Sequence, residues 1–249
     1  SQKDFSDGSG RKELAEAVVD PKNPLTARVF VNRVWQWHFG RALVRTPSNF
    51  GILGEKPTHP QLLDWLANRF VEDGWSVKNL HRIIMNSATY QMSSQFNRFN
   101  FERDGDNRNI WRMNPRRLEV EAWRDSLLHV AGKLNRSIGG APDGEILESD
   151  RRTLYATISR NGDRFRSEEF LRTFDFPAAR SSASARTVST VPQQYLFMMN
   201  SKFMADCAEH LARRILESGP EPYGRIRFAY RSLFQREPEE FEKIAGYGF

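Results

Sequence analysis

The chain has 249 residues, with 37 Lys and Arg, 31 Asp and Glu, and a single cysteine. This composition excludes a disulfide scaffold, a collagen-like chain and low-complexity disorder. Six Trp and 18 Phe supply enough apolar material for a buried core. No apolar run approaches the ~20 residues of a membrane span, and the first residues contain no hydrophobic signal segment. We therefore expect a globular protein without a membrane span.

Basic residues outnumber acidic ones by six, and 29 of the 37 basic residues are arginine. The planar guanidinium group suits carboxylates and phosphates, although codon usage alone can also produce such an excess. Residues 151–186 contain eight Arg and four acidic residues, and this local charge of +4 would attract anions. The sequence has neither a dense basic stripe nor a recognisable nucleic-acid-binding module, so nucleic acid is not an expected partner.

Helical spacing of apolar residues organises the first half of the chain. The first ten residues are polar and rich in Gly and Ser, so we expect a disordered lead-in over residues 1–11. Thr58, Ser76 and Ser201 precede apolar runs and are typical helix N-caps. The spacing predicts helices over 12–19, 25–39, 58–73, 76–86 and 115–134. The polar segment 95–110 is predicted to be a surface loop.

The second half combines short helices with a single strand pattern. Residues 151–160 alternate polar and apolar side chains, and residues 186–191 are the best candidate for a partner strand. Further helices are predicted over 168–174, 192–200, 201–216 and 224–234, and after 237. We therefore expect a mainly α fold of seven to nine helices, with a small antiparallel β element inserted in the second half. The predicted organisation is a single helical domain over 12–249 with two sub-lobes, 12–140 and 141–249.

Two long runs carry a family resemblance. They are NPLTARVFVNRVWQWHFGRALVRTPSNFGILGEKPTHPQLLDWLANRF at 23–70 and GWSVKNLHRIIMNSATYQMSS at 74–94. Both closely resemble a bacterial family of unknown function, whose members are large planctomycete-type proteins. Those proteins carry an N-terminal cytochrome-c-like haem domain and two further uncharacterised domains. The likeness continues to RIRFAYRSLFQREPEEFE at 225–242, so the chain is similar to the last of those domains over nearly its whole length.

The resemblance implies a setting and names no reaction. It implies an extracytoplasmic location, periplasmic or exported, and it makes the missing N-terminal domains a partner. Because the haem-binding part is absent, the resemblance implies no cofactor in this chain. The Ala/Ser-rich segment 178–186 departs from the more polar sequence expected of the family at that point.

One predicted helix carries three candidates for ligand binding, Asn32, Arg33 and His38. The competing interpretation of Asn32 and Arg33 is that they are buried polar groups that tie this helix to the following loop, since buried polar groups must find partners. His38 lies on the apolar side, four residues after Val34. A histidine there is more often hydrogen-bonded within the core than bound to a ligand, although either role suits its pKa.

His59, Asp64 and His81 are the candidates for catalysis. His59 lies in the first turn of its helix, where the helix N-terminus favours a neutral imidazole and can present it beside an anion. A structural cap is the competing interpretation. His59 and Asp64 do not share a helix face, so catalysis requires the fold to bring them together. The sequence has no HxxxH or CxxC spacing, and no metal site is predicted.

The predicted strand supplies the remaining candidates for ligand binding, Arg152, Arg160 and Asn161. The two arginines have the same parity, so a continuous strand would place them on one face. Such a face suits carboxylated or sulfated sugars, which bind guanidinium groups through bidentate contacts. The competing interpretation is an edge strand protected by charge.

Two classes of function follow from these patterns. The first is a non-catalytic binding or interaction module, which recognises either the protein's own N-terminal domains or an anionic polysaccharide. The alternative is a hydrolase acting on complex carbohydrates, with a pocket formed by Arg33, His59, His81 and Asp64. A deep polar pocket that gathers the histidines would favour the enzyme. An exposed apolar patch would favour the interaction module.

Overall fold

Helices dominate the computed structural model, which describes residues 8–161, 165–180 and 183–248. These ranges contain eleven α-helices, and 52% of the structure is helical, so the predicted mainly α fold is confirmed. The number of helices exceeds the predicted seven to nine. The helices are α1 (Arg11–Val19), α2 (Thr26–Phe39), α3 (Pro60–Glu72), α4 (Val77–Met85), α5 (Arg98–Arg103), α6 (Val120–Val130), α7 (Arg166–Thr173), α8 (Pro192–Asn200), α9 (Lys202–Glu217), α10 (Pro222–Phe234) and α11 (Glu240–Tyr247).

The chain divides into two compact units, with the boundary between Arg116 and Arg117. Unit 1 contains α1 to α5, and unit 2 contains α6 to α11. The single domain with sub-lobes 12–140 and 141–249 stays a prediction. Residues 1–7 of the predicted lead-in lie outside the described residues.

The core of unit 1 forms where α2, α3 and α4 pack together. α2 ends at Gly40, whose left-handed conformation (φ 74°) lets its N–H reach the Gln36 carbonyl over 2.8 Å. α4 begins at the predicted N-cap Ser76, whose Oγ accepts the Asn79 N–H over 3.3 Å. The apolar side chains that these helices bury are Val31, Val34, Trp35, Phe39, Leu63, Leu66, Phe70, Leu80 and Ile84.

The start of α3 differs from the predicted one. Thr58 donates its main-chain N–H to the Leu43 carbonyl over 2.9 Å and its hydroxyl to the same oxygen over 3.4 Å. His59 is therefore the N-cap residue of α3. A contact with a residue 15 positions earlier replaces the local capping pattern. The predicted surface loop also contains α5, which Asn97 caps by accepting the Asn100 N–H over 3.0 Å.

α6 lies at the centre of unit 2, in contact with α9 and with a 3-10 helix at residues 153–155. Near it an aromatic cluster forms, in which ring centroids lie 4.8 to 6.5 Å apart. Cys207 of α9 is buried, and burial raises the pKa of its thiol. The four rings of the cluster are Trp123, Phe170, Phe174 and Phe197.

The prediction of a small antiparallel β element at 151–160 and 186–191 is wrong. The first of these segments contains the 3-10 helix instead of a strand. Only about 2% of the structure is assigned to strand, and the bridges formed by the described residues are isolated and parallel. They join Asn135 to Arg151 and Asp143 to Ala156.

Side-chain hydrogen bonds replace the predicted strand pairing. Thr153 is 3% exposed and donates both its main-chain N–H and its hydroxyl to Asp125 Oδ1, each over 2.7 Å. In the other segment, Ser189 donates its N–H and hydroxyl to the Asp175 carboxylate over 2.9 and 2.6 Å. These carboxylates accept one main-chain N–H from each segment, and Tyr155 and Thr157 pair with the main chain of Asp143 instead of with residues 186–191.

Candidate functional sites

His38 of α2 and His81 of α4 form a pair in unit 1. His38 Nε2 lies 2.7 Å from His81 Nδ1, so one imidazole donates a hydrogen bond to the other. The Tyr90 ring meets His38 edge-on, with centroids 5.4 Å apart. Burial lowers the pKa of His38 below its ordinary value, and the nearby charges of His81 and Arg116 lower it further. The imidazole of His38 is therefore neutral near pH 7.

The other catalytic candidates have separate partners. His59 Nδ1 lies 3.0 Å from the hydroxyl of its neighbour Thr58. Asp64 accepts a hydrogen bond from Arg28 Nε over 2.6 Å, in an ion pair that is partly exposed. Of the predicted catalytic residues, the structure thus brings only His81 to another histidine, and that histidine is His38.

Asn32 and Arg33 are neighbours in sequence but lie in different environments. Asn32 is 0% exposed, accepts the Val44 N–H over 2.8 Å and donates to the Val44 carbonyl over 3.0 Å. It ties α2 to the following loop, as the structural interpretation predicted. Arg33 points to solvent on the exposed face of α2. Ligand binding by either residue stays a prediction.

No strand forms at residues 151–160, so the parity argument for a shared face of Arg152 and Arg160 no longer holds. Arg152 lies 3.6 Å from the Asp125 carboxylate in an ion pair. Arg160 is exposed, and its carbonyl accepts a hydrogen bond from Arg180 over 2.9 Å. Asn161 is exposed and donates its N–H to Ser159 Oγ over 3.0 Å. Their role in ligand binding therefore stays a prediction, without the support of a strand.

Unit 1 contains an arginine-lined cavity that the sequence did not predict. Its volume is about 300 Å³, and it lies between the end of α2 and the segment after α5. Three arginines line it, Arg41, Arg112 and Arg116, together with Asp106. The lining therefore carries three positive charges and one negative charge, a net charge of +2. We call it the arginine cavity.

The loop beside the arginine cavity is held by one buried asparagine, Asn107. Its Oδ1 accepts the Trp111 N–H over 2.8 Å, and its Nδ2 donates to the Arg112 carbonyl over 2.8 Å and to Asn114 Oδ1 over 2.9 Å. Asn114 in turn donates to the Phe39 carbonyl at the end of α2 over 3.1 Å. Side-chain hydrogen bonds thus connect this loop to the end of α2. The polar composition of residues 95–110 is the one feature of the sequence that could have drawn attention to this loop.

α11 carries an exposed apolar stripe in unit 2. Phe241, Ile244 and Tyr247 are 65%, 69% and 58% exposed and recur every third residue, within a sector about 120° wide. Leu233 and Phe234 of the neighbouring α10 are also exposed. Neither of these two helices has a buried residue. We call these five residues the C-terminal apolar face.

The described residues contain no group of three or more His, Cys, Asp or Glu side chains that could hold a metal ion. None of the described helices is long and apolar enough to cross a membrane.

The eleven helices of the described residues define the chain as an all-α protein. Within that class it belongs to the PSD1 family, described as a protein of unknown function (DUF1553), whose family model matches residues 10–247. No curated protein and no solved structure matches the chain.

Proposed function

We propose that this chain is a non-catalytic interaction module that docks onto another protein domain through the C-terminal apolar face. The observation that supports the proposal is the exposed stripe Phe241, Ile244 and Tyr247. Exposed single apolar residues are ordinary on a protein surface, whereas a contiguous apolar stripe marks an interaction site.

A comparison with α3 shows what such a stripe does when it is covered. Leu63, Leu66 and Phe70 also recur at helical spacing, and each is less than 4% exposed. Burying one such side chain stabilises by about 1.5–3 kcal/mol. Because the three residues of α11 are about two thirds exposed, covering them would supply roughly 3–6 kcal/mol, from which the cost of association is subtracted.

Ion pairs connect α10, α11 and the segment between them. Arg227 and Arg231 of α10 contact Glu237 over 2.9 and 2.8 Å, and Arg236 contacts Glu242 of α11 over 2.6 Å. These contacts hold the helix that presents the stripe, so docking would require little further ordering of it.

The proposed partner is the preceding part of a longer polypeptide. The support is the resemblance of residues 23–94 to the last domain of planctomycete-type proteins with an N-terminal cytochrome-c-like haem domain. On the same support we propose an exported or periplasmic setting and no cofactor bound by this chain. The hydrolase alternative stays a prediction, and the separate partners of His59, Asp64 and His81 do not favour it.

The test uses the double variant Phe241→Ser with Ile244→Ser. Biolayer interferometry would measure binding of this chain to the separately expressed preceding domains of its parent polypeptide. Losing two buried apolar side chains should weaken binding more than about 100-fold. The matched control is Ile52→Ser with Leu53→Ser, since both residues are at least 91% exposed and lie in unit 1.

Three results would contradict the proposal. The first is an affinity that both double variants leave unchanged. The second is the absence of any binding by the wild-type chain. The third is a homodimer, seen by light scattering, that the α11 variant dissociates, because the occupant of the face would then be a second copy.

A further inference from the structure

We propose that the arginine cavity of unit 1 binds the oxyanion group of a sugar-sized ligand, through Arg41, Arg112 and Arg116. The group would be a carboxylate, a sulfate or a phosphate. This site lies in unit 1 and is independent of the C-terminal apolar face, so it adds a ligand to the proposed interaction.

The first argument is the state of the three positive charges. Arg41 donates to the Asp106 carbonyl over 2.7 Å, and Arg116 donates to the Trp37 carbonyl. Neither forms an ion pair with a carboxylate in the described part of the chain, and the same holds for Arg112. Carbonyl oxygens orient a guanidinium group without cancelling its charge, so the cavity keeps a positive potential.

The second argument is the setting of Arg112. Its Nε is buried and has no hydrogen-bond partner among the described residues. Its guanidinium carbon lies 4.8 Å from the Trp111 ring centroid and 5.6 Å from that of Phe96. The aromatic rings hold the guanidinium plane without using its donors. Because protein atoms enclose Nε, the donors that can meet an oxyanion are the two terminal nitrogens, which make no hydrogen bond to any residue that the structure describes.

The third argument is size and rigidity. The volume of about 300 Å³ is at the lower end of the range for small-molecule sites. Asn107 adopts a left-handed conformation (φ 51°), which is uncommon for a non-glycine residue, and its side chain makes the hydrogen bonds that keep the loop in place. Little ordering is therefore required when a ligand binds, and this favours affinity.

The carboxylate of Asp106 supplies an internal test of the charge argument. It is the one acidic group that lines the cavity in the described residues, and its Oδ2 lies 3.4 Å from Arg45. Removing its charge should raise the affinity for an anion. A gain of affinity cannot result from a variant that fails to fold.

The experiment is isothermal titration calorimetry of the full chain with sodium sulfate, inorganic phosphate and D-glucuronate as separate probes. We expect one of them to bind at a single site, and its identity distinguishes a sulfate or phosphate ligand from a uronic acid. Arg112→Gln and Arg116→Gln should each weaken binding by more than about tenfold. Asp106→Asn should tighten it by about threefold or more. Arg112→Lys should also weaken binding, since a point charge does not replace the planar fork.

The matched control is Arg98→Gln, which removes the same charge from an exposed arginine of α5 that is paired with Glu102. It should leave the affinity unchanged. The proposal is overturned if no probe binds more tightly than about 1 mM, or if Arg98→Gln weakens binding as much as Arg112→Gln does. The α11 double variant should bind the anion like the wild-type chain, so failure here is distinguishable from failure of the interaction proposal.

Discussion

Arg124 of α6 should be the charged residue on which the stability of unit 2 depends most. Its side chain is 0% exposed, and burial lowers the pKa of its guanidinium group. Nη1 donates to the Arg151 carbonyl over 2.8 Å and to Thr153 Oγ1 over 3.2 Å, while Nη2 donates to the carbonyls of Ile146 and Ser149. One side chain thus holds the entire segment 146–153 against α6.

The variant Arg124→Met keeps most of the side-chain length and removes every donor. Three main-chain carbonyls then lose their partner, and each costs about 1–3 kcal/mol when it stays buried. Removing a desolvated charge offsets part of this loss. We expect a net destabilisation of about 3–5 kcal/mol, against a total of about 5–15 kcal/mol for a typical protein.

Urea denaturation followed by circular dichroism would measure this free energy. The control is Arg213→Met on α9, an exposed arginine paired with Glu209, which should change stability by less than about 0.5 kcal/mol. Arg124→Lys should lose most of the free energy that Arg124 contributes, since one ammonium group cannot reach four acceptors. The reasoning is refuted if Arg124→Met lies within about 1 kcal/mol of the wild type.

Two further predictions concern unit 1. Asn32→Ala should destabilise the chain by about 2–4 kcal/mol, because it leaves the N–H and carbonyl of buried Val44 without partners; a neutral result in urea denaturation would contradict the structural role of these hydrogen bonds. The second prediction is acid sensitivity: the pKa of His38 is lowered from 6.5 in the folded state, so its contribution to stability is present above pH 6.5 and is lost as the pH falls through the folded pKa. His38→Gln should flatten the dependence of the unfolding free energy on pH, and an unchanged slope would show that the pair with His81 is not responsible.

Local signals predicted those helices whose ends depend on nearby residues. Ser76 and Ser201 were predicted as N-caps, and each accepts the N–H three residues later. Thr58 has the same local pattern, but its hydroxyl is used by Leu43. The sequence also predicted a helix from 115, whereas α6 begins at Val120. Capping is predictable when no distant group competes for the same side chain.

The sites were beyond this kind of prediction because their members are far apart in sequence. His38 and His81 are separated by 43 positions, and no spacing rule connects them. The arginine cavity joins Arg41 to a segment more than 60 residues later. Only part of its lining, residues 105–107, lies in the predicted surface loop 95–110, and Arg116 lies in a predicted helix. Asn tolerates the left-handed conformation that Asn107 adopts, but the residue type alone does not say that a loop will be shaped by it.

The arginine excess shows why charge counts are a weak guide to function. The local charge of +4 over residues 151–186 suggested an anion site there, yet Arg172 is paired with Glu168 and Arg186 with Glu121. Carboxylates neutralise these two guanidinium groups. A third arginine, Arg124, is buried in the core and donates its hydrogen bonds to carbonyl oxygens. Among the described residues, the guanidinium groups of Arg151 and Arg180 donate only to carbonyls, so they keep their charge, as Arg112 of unit 1 does in contact with aromatic rings. What an arginine can bind is decided by the partner it already has, and that partner is known only from the fold.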